Sequence, residues 1–288
     1  MEASSMCIDQ IDISNPQPRD TPQILYKYRY FDKNKYHLMA LEKPQLRFAS
    51  ARDFNDPYDS TLQYNFLDQP PGIQLKWAIE VTKIEFPQLN KDEIKEKAKS
   101  QLDKINNDSS HLKWFKKHYV DVNYDKFGIC CLTPNQKNLL MWAHYSDNHK
   151  GFCIGFDTNK ILEIQKLLVK KNELLQLLKI PYSDTIPSIN FYESMSSDQW
   201  VNDLYKMLYT KSSHWSYEQE YRLSYWNHPN MSLDISFDVI SEVILGCKIS
   251  KNNKKKILLV ISKFDSNISL FQAHKHSTKF DLHFEKLL

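Results

Sequence analysis

Glycine is the residue this chain nearly does without: 5 in 288 positions. Neither G-x-G-x-x-G nor G-x-x-x-x-G-K-[ST] can be written from so few, which excludes a loop whose bare backbone cradles phosphates. Any nucleotide bound here is therefore held by side chains and ordinary backbone. The chain is otherwise of globular make-up, 41% hydrophobic and 25% charged, with material for a sizeable core. Its length suits one large domain or two small ones. A net charge of +3 tolerates an anionic ligand but is not the clustered basic stripe of a nucleic-acid binder, so nucleic acid stays open as a partner. The cysteines Cys7, Cys130, Cys131, Cys153 and Cys247 are odd in number and show no C-x-x-C spacing, as expected of reduced, mostly buried thiols. The N-terminus has neither a basic region nor an apolar one, and no apolar run approaches the ~20 residues of a membrane span. The expectation is a cytoplasmic protein with no membrane partner.

Residues 1–21, with Pro16 and Pro18, lack an apolar period and read as a flexible leader before Pro22. The segment from Ile24 to Tyr30 reads as a strand with Tyr26, Tyr28 and Tyr30 on one face and Lys27 and Arg29 on the other. A helix over Lys33–Glu42 and a strand over Gln45–Ser50 follow, then a turn through Asp53–Pro57. Asn90 and Glu93 have capping-box spacing, with Ile94, Ala98, Leu102 and Ile105 on one helical face. This predicts a helical insertion at about 73–119 within a single α+β domain over 22–288. Strands are predicted at Phe127–Leu132, Phe152–Phe156 (half-buried), Leu175–Tyr182, Tyr217–Trp226 and Glu242–Cys247, with two more at the C-terminus. Helices are predicted at Asn138–Tyr145, 159–171, Asp198–Lys211 and 251–263. Mixed order with short connections argues for α+β over a regular βαβ series.

Four constellations have the residue types for chemistry. In Glu218-Gln219-Glu220-Tyr221-Arg222 a two-residue period puts Glu218, Glu220 and Arg222 on one strand face. Such a set is either a solvated face laced by ion pairs or a working pair of carboxylates beside a guanidinium. The stretch from Asn138 to Phe156 carries Trp142, His144, Tyr145 and His149 near three cysteines, but without paired zinc spacings; no metal is expected. The segment from Phe48 to Asp59 holds Ser50, Asn55, Asp56 and Asp59, which suits self-capping turns or contacts to a ribose or metal. Lysines 251, 254, 255 and 256 at a helix start oppose its dipole, a solvated face or an anion offsetting the cost.

Taken in order, Leu-Tyr-Lys-Tyr-Arg at 25–29, Arg-Phe-Ala-Ser and Phe-Asn-Asp-Pro-Tyr within 47–58, Leu-Met-Trp-Ala-His-Tyr and His-Lys-Gly-Phe within 140–152, Trp-Ser-Tyr-Glu-Gln-Glu-Tyr-Arg-Leu at 215–223 and Glu-Val-Ile-Leu-Gly at 242–246 are more specific than any one of them. The set resembles a bacterial family of domains of unknown function, number twenty-nine seventy-one, over roughly 24–275; Asp59 stands where such sequences often have Glu. A looser similarity is to ADP-ribosyltransferases, which clamp NAD in a split mixed sheet without a glycine-rich loop. That similarity implies a mixed, split β-sheet core, with Arg29 on the pyrophosphate, Glu220 stabilising ribosyl charge and Glu218 presenting the acceptor. The middle Ser-Thr-Ser element of that fold is absent; Cys131-Leu132-Thr133 stands in its place in the order.

The expected function is accordingly NAD-dependent ADP-ribosyl transfer or NAD hydrolysis, in a bacterial defence or toxin setting, with NAD as substrate and a macromolecule or water as acceptor. Tyr26, Tyr28, Trp142 or Tyr145 would stack on a ring of the substrate. Ser50, Asn55, Asp56, His144, His149 and Arg222 complete the expected substrate contacts. Two alternatives stand beside it. One is a magnesium-dependent nuclease or phosphodiesterase using Asp56, Asp59, Glu218 and Glu220. The other is a nucleotide-sensing module without turnover.

Overall fold

A computed structural model describes residues 21–34, 36–66, 69–119, 126–195, 199–264 and 268–288. Residues 1–20 of the expected leader, with Cys7, lie outside the described residues, as does Asp198 at the expected start of a helix. In chain order the elements are β1 (Ile24–Arg29), α1 (Tyr36–Glu42), β2 (Gln45–Ser50), β3 (Gln63–Asn65), α2 (Pro71–Glu85), α3 (Lys91–Asn107), α4 (Ser109–Tyr119), β4 (Phe127–Leu132), α5 (Leu139–Tyr145), β5 (Phe152–Asp157), α6 (Thr158–Val169), β6 (Leu175–Lys179) and β7 (Tyr182–Ser183). They continue with β8 (Ser188–Asn190), α7 (Phe191–Met195), α8 (Gln199–Tyr209), β9 (Lys211–Ser212), β10 (Tyr221–Trp226), β11 (Met231–Asp234), β12 (Ile240–Leu245), α9 (Lys251–Ile261), β13 (Ser269–Lys275) and β14 (Leu282–Lys286). The chain is α+β, and it divides into two compact units.

The first unit takes in Ala51–Lys126 and Pro181–Ser213. Asn90 caps α3 reciprocally with Glu93, and the Ile94, Ala98, Leu102 and Ile105 stripe is buried as its spacing predicts. That stripe meets an aromatic cluster of Phe66, Trp77, Phe115, Phe191 and Tyr192. The rings meet mostly edge-on, for example Trp77 on Tyr192 at 5.1 Å, the orientation the aromatic quadrupole favours. Two small parallel sheets, β3 with β8 and β7 with β9, complete the unit.

The second unit takes in Phe127–Ile180, His214–Leu288 and the described part of Pro16–Ser50. It holds two five-stranded sheets, one in the order β1-β5-β12-β13-β14, the other β11-β2-β4-β10-β6. The first is mixed, since β12 and β13 run parallel, while the second is antiparallel throughout. The alternation of each strand decides which sets meet. Leu25, Ile154, Val243, Cys130, Leu223 and Leu177, among others, form one large apolar core drawn from both sheets. On β5 both sets are buried, because Cys153 and its neighbours pack into a second cluster with Tyr26, Tyr28, Met141 and Trp142. The half-burial expected of that strand is thus corrected: β5 lies between β1 and β12 and is covered on both faces.

A backbone bridge ties the sheets together. Tyr26 N donates to the Thr133 carbonyl at 2.7 Å, and Thr133 N returns a bond to the Tyr26 carbonyl at 3.0 Å. Gly155 makes the packing beside that bridge possible. It pairs across the sheet with Tyr26 on one side and Glu242 on the other. A Cβ there would stand 2.8 Å from Glu242 Cγ and 3.0 Å from Tyr26 Cε1, so the bare backbone is what lets the two side chains close over it.

Candidate functional site

The segment expected to be one strand from Tyr217 is two things. Ser213–Glu218 is a 3-10 turn, Gln219 takes a left-handed conformation with φ 48°, and β10 begins at Tyr221. Glu218 and Glu220 therefore do not alternate on one pleated face with Arg222, as the spacing predicted. A left-handed residue other than glycine is uncommon and needs support from its surroundings. Here it has anchors on both sides. Thr133 Oγ1 donates to the Glu218 carbonyl at 2.6 Å, and Ile180 N donates to the Glu220 carbonyl at 2.9 Å.

The two carboxylates go to different partners. Tyr145 Oη donates to Glu218 Oε1 at 2.7 Å. Arg222 Nε donates to Glu220 Oε1 at 2.8 Å. Glu218 is 3% exposed, Glu220 2% and Arg222 0%, which overturns the solvated-face reading of this motif. A charge so removed from water is tolerated when it is paired and hydrogen-bonded. Arg222 reaches its place because Tyr221, Leu223 and Tyr225 occupy the core face of β10, leaving Arg222 and Ser224 on the other.

Helix α5 is fastened to this turn from its first residue. Asn138 Oδ1 accepts from Leu140 N and Met141 N as an N-cap, while its Nδ2 donates to the Tyr217 carbonyl at 2.6 Å. One side chain thus starts the helix that carries Tyr145 and grips the residue before Glu218. Trp142, fully buried, donates Nε1 to the Gln136 carbonyl at 2.8 Å, and Tyr28 Oη donates to the Asn135 carbonyl at 2.7 Å. Tyr28 and Trp142 meet edge-on at 5.1 Å, and His149 stacks on the far reach of Trp142 with centroids 6.3 Å apart. His149 closes a run of three left-handed residues with Asp147 and Asn148, and its Nδ1 is buried without a partner. Burial, then nearby Lys248, holds its imidazole below the ordinary histidine pKa.

The other predicted residues are placed as follows. Tyr26 Oη donates to Glu242 Oε1 at 2.9 Å; burial and that carboxylate raise its phenol well above the ordinary range. Burial likewise raises the Tyr28 phenol. Arg29 lies three residues beyond Tyr26 on β1, opposite Phe152, roughly 10 Å along the strand. Its Nε is buried without a partner, and burial opposes its charge. Ser50, 4% exposed, ends β2, and its backbone N donates to Asn230 Oδ1 at 3.2 Å. His144 is exposed at the end of α5, its ring edge-on to Tyr145 at 6.4 Å.

Asn55 and Asp56 belong to the first unit, where Asn55 is exposed and Asp56 Oδ1 accepts from Tyr58 N at 2.9 Å, the self-capping turn chemistry. Asp59 in the same unit faces buried Lys211 at 3.7 Å. Among the described residues, no three of His, Cys, Asp and Glu are grouped to hold a metal ion. Of the lysines at the start of α9, Lys254 donates to Gln272 Oε1 at 3.1 Å.

The bonds therefore gather Thr133, Asn138, Tyr145, Glu218, Glu220 and Arg222 around the start of β10, with Tyr28, Trp142 and His149 as an adjoining aromatic group. Sequence reasoning passed over Glu242 and the side-chain role of Asn138. Asn138 stands in the sequence reading only as the start of a helix, and Glu242 only as the start of a strand and motif; nothing local marks Tyr26, 216 residues away, as the partner of Glu242.

Residues 141–223 match the model of a family described as a protein of unknown function (DUF2971). The matched stretch opens in α5 and closes in β10, and so includes Trp142, His144, Tyr145, Glu218, Glu220 and Arg222. It is shorter than the 24–275 expected from the ordered motifs. No curated protein and no solved structure matches the chain. Among the described residues, no helix is long and apolar enough to cross a membrane.

Proposed function

We propose that the turn into β10 is the centre of an NAD-consuming site, transferring ADP-ribose to an acceptor or to water. The observation that carries this reading is the buried Glu220–Arg222 ion pair at 2.8 Å, set two residues after a second buried glutamate held by a tyrosine. In the reaction the bond between ribose C1′ and the nicotinamide nitrogen breaks, its electron pair leaving with nicotinamide. Positive charge then spreads over C1′ and the ring oxygen. A fixed carboxylate in a poorly hydrated place stabilises such charge more than it would in water, and the Glu220 carboxylate is assigned that role. Glu218, oriented by the Tyr145 hydroxyl, takes the proton from the incoming acceptor hydroxyl as its oxygen bonds to C1′. The buried, unpartnered Nε of Arg29 supports it as a contact for the anionic part of the substrate.

The test is nicotinamide release from NAD by the full chain, followed by chromatography with and without added protein acceptors. Glu220→Gln should lower the rate by about 10²–10³-fold while its far-ultraviolet circular dichroism shows a folded protein. Release at the wild-type rate by that variant, or none by the wild type, defeats the reading. The depth of burial, 3% and 2% exposure for the two glutamates, favours a second reading, a binding module without turnover. That reading gains if NAD raises the melting temperature and is recovered intact.

A further inference from the structure

In the first unit, β8, α7 and α8 border a cavity of about 380 Å³, within the size range of small-molecule sites. Ser188 and Asn190 of β8, Glu193 and Ser194 of α7, and Asp203 and Lys206 of α8 line it, with Ile189 as the apolar contribution. Ser194 is 1% exposed, and its hydroxyl is buried without a hydrogen-bond partner. Asp203 is 4% exposed and accepts a bond from Lys206 Nζ at 2.8 Å, one turn along the same face of α8. A carboxylate offers roughly four lone-pair positions, so that bond leaves acceptor capacity at the cavity. Glu193 Oε2 accepts from Asn190 Nδ2 at 3.1 Å. Buried polar groups are nearly always bonded, and an exception calls for an explanation.

We propose that this cavity binds a neutral polyhydroxylated molecule of sugar or cyclitol size. The charges present decide among ligand classes. An anion would face Glu193 and Asp203, and a cation would face Lys206, whose charge already answers Asp203. Hydroxyl groups suit both, each donating to a carboxylate and accepting from the lysine or the Ser194 hydroxyl. The small apolar share offers no broad flat surface for a nucleobase. The proposal uses no residue of the NAD site and stands or falls apart from it.

The experiment is saturation-transfer NMR on the full chain with ribose, glucose, galactose and myo-inositol as separate probes, and with putrescine and inorganic phosphate as the charged alternatives. At least one polyol should give a saturable signal. Asp203→Asn should abolish it, and Ser194→Ala should weaken it roughly 3–10-fold, the worth of one hydrogen bond. Thermal melts establish that each variant is folded; if Asp203→Asn is not, Ser194→Ala decides. No saturable polyol, binding confined to putrescine or phosphate, or wild-type affinity in Ser194→Ala overturns the proposal.

Discussion

Around the start of β10, buried polar groups meet partners drawn from distant parts of the sequence. Thr133 bonds the Glu218 carbonyl, Tyr145 its carboxylate, and Arg222 the carboxylate of Glu220. In the first unit, Tyr192 and Ser194 are as deeply buried, at 0% and 1% exposure, yet their hydroxyls have no partner. The two regions use burial differently. In the one, the polar groups of the turn itself are answered within the chain and fix an otherwise unfavourable conformation, while Arg29 Nε, His149 Nδ1 and Ser224 Oγ elsewhere in that unit stay without partners. In the other, hydrogen-bonding capacity is left over, at a cost to stability unless a ligand takes it up. Each substitution below tests one side of that contrast.

The largest effect is expected at the ion pair. Arg222→Met removes the guanidinium and leaves Glu220 2% exposed without it. Stranding one member of a buried pair costs about 3–5 kcal/mol, readable as a loss in urea denaturation. Arg222→Met combined with Glu220→Gln should recover part of that loss, because the penalty is that of a buried carboxylate deprived of its guanidinium. A cost under about 1 kcal/mol for Arg222→Met would show that the pair is not isolated from water, and would bring this region closer to an ordinary surface bridge.

The next effect is expected at Tyr145. Its hydroxyl donates to a carboxylate, a bond worth more than one between neutral groups, but the ring is partly exposed. Tyr145→Phe should cost about 1–2 kcal/mol. A double-mutant cycle with Glu218→Gln isolates the shared part, and additive losses would mean that the 2.7 Å contact couples nothing.

These expectations rest on a site whose outline, but not its geometry, was legible in the sequence. Strands β2 and β4 fall where they were expected, at Gln45–Ser50 and Phe127–Leu132, because short runs rich in apolar residues and of strand length suit burial in a sheet. The capping box of α3 and the start of α5 were likewise written locally, in Asn90 and Asn138. The turn through Gln219 was not. His-Trp-Ser-Tyr-Glu-Gln-Glu-Tyr has a strand-like alternation, and the bonds that bend it come from Thr133 and Ile180. Burial of Glu218 and Glu220 was equally illegible, since charged residues are seldom buried and the partners that permit it stand on α5 and in β10.

The smallest effect has the opposite sign and tests the other region. Tyr192 sits in the aromatic cluster with Phe66, Trp77, Phe115 and Phe191, and its ring contacts do not require the hydroxyl. Tyr192→Phe removes an unanswered polar group and keeps the ring, so it should stabilise the protein by about 1 kcal/mol at neutral pH. The effect should grow in alkali. Burial lifts the Tyr192 phenol from 10.0 to about 12. Between those values the unfolded chain has lost that proton and the folded chain retains it, so wild-type stability falls as pH rises through the interval. Phenylalanine has no such proton, and the stability difference between variant and wild type should widen from pH 10 toward pH 12. Paired urea titrations at pH 7, 10 and 11 measure it. A destabilised variant, or a difference that stays constant with pH, would mean that the hydroxyl is answered after all, and the contrast between the two regions would then lose one of its two hydroxyls.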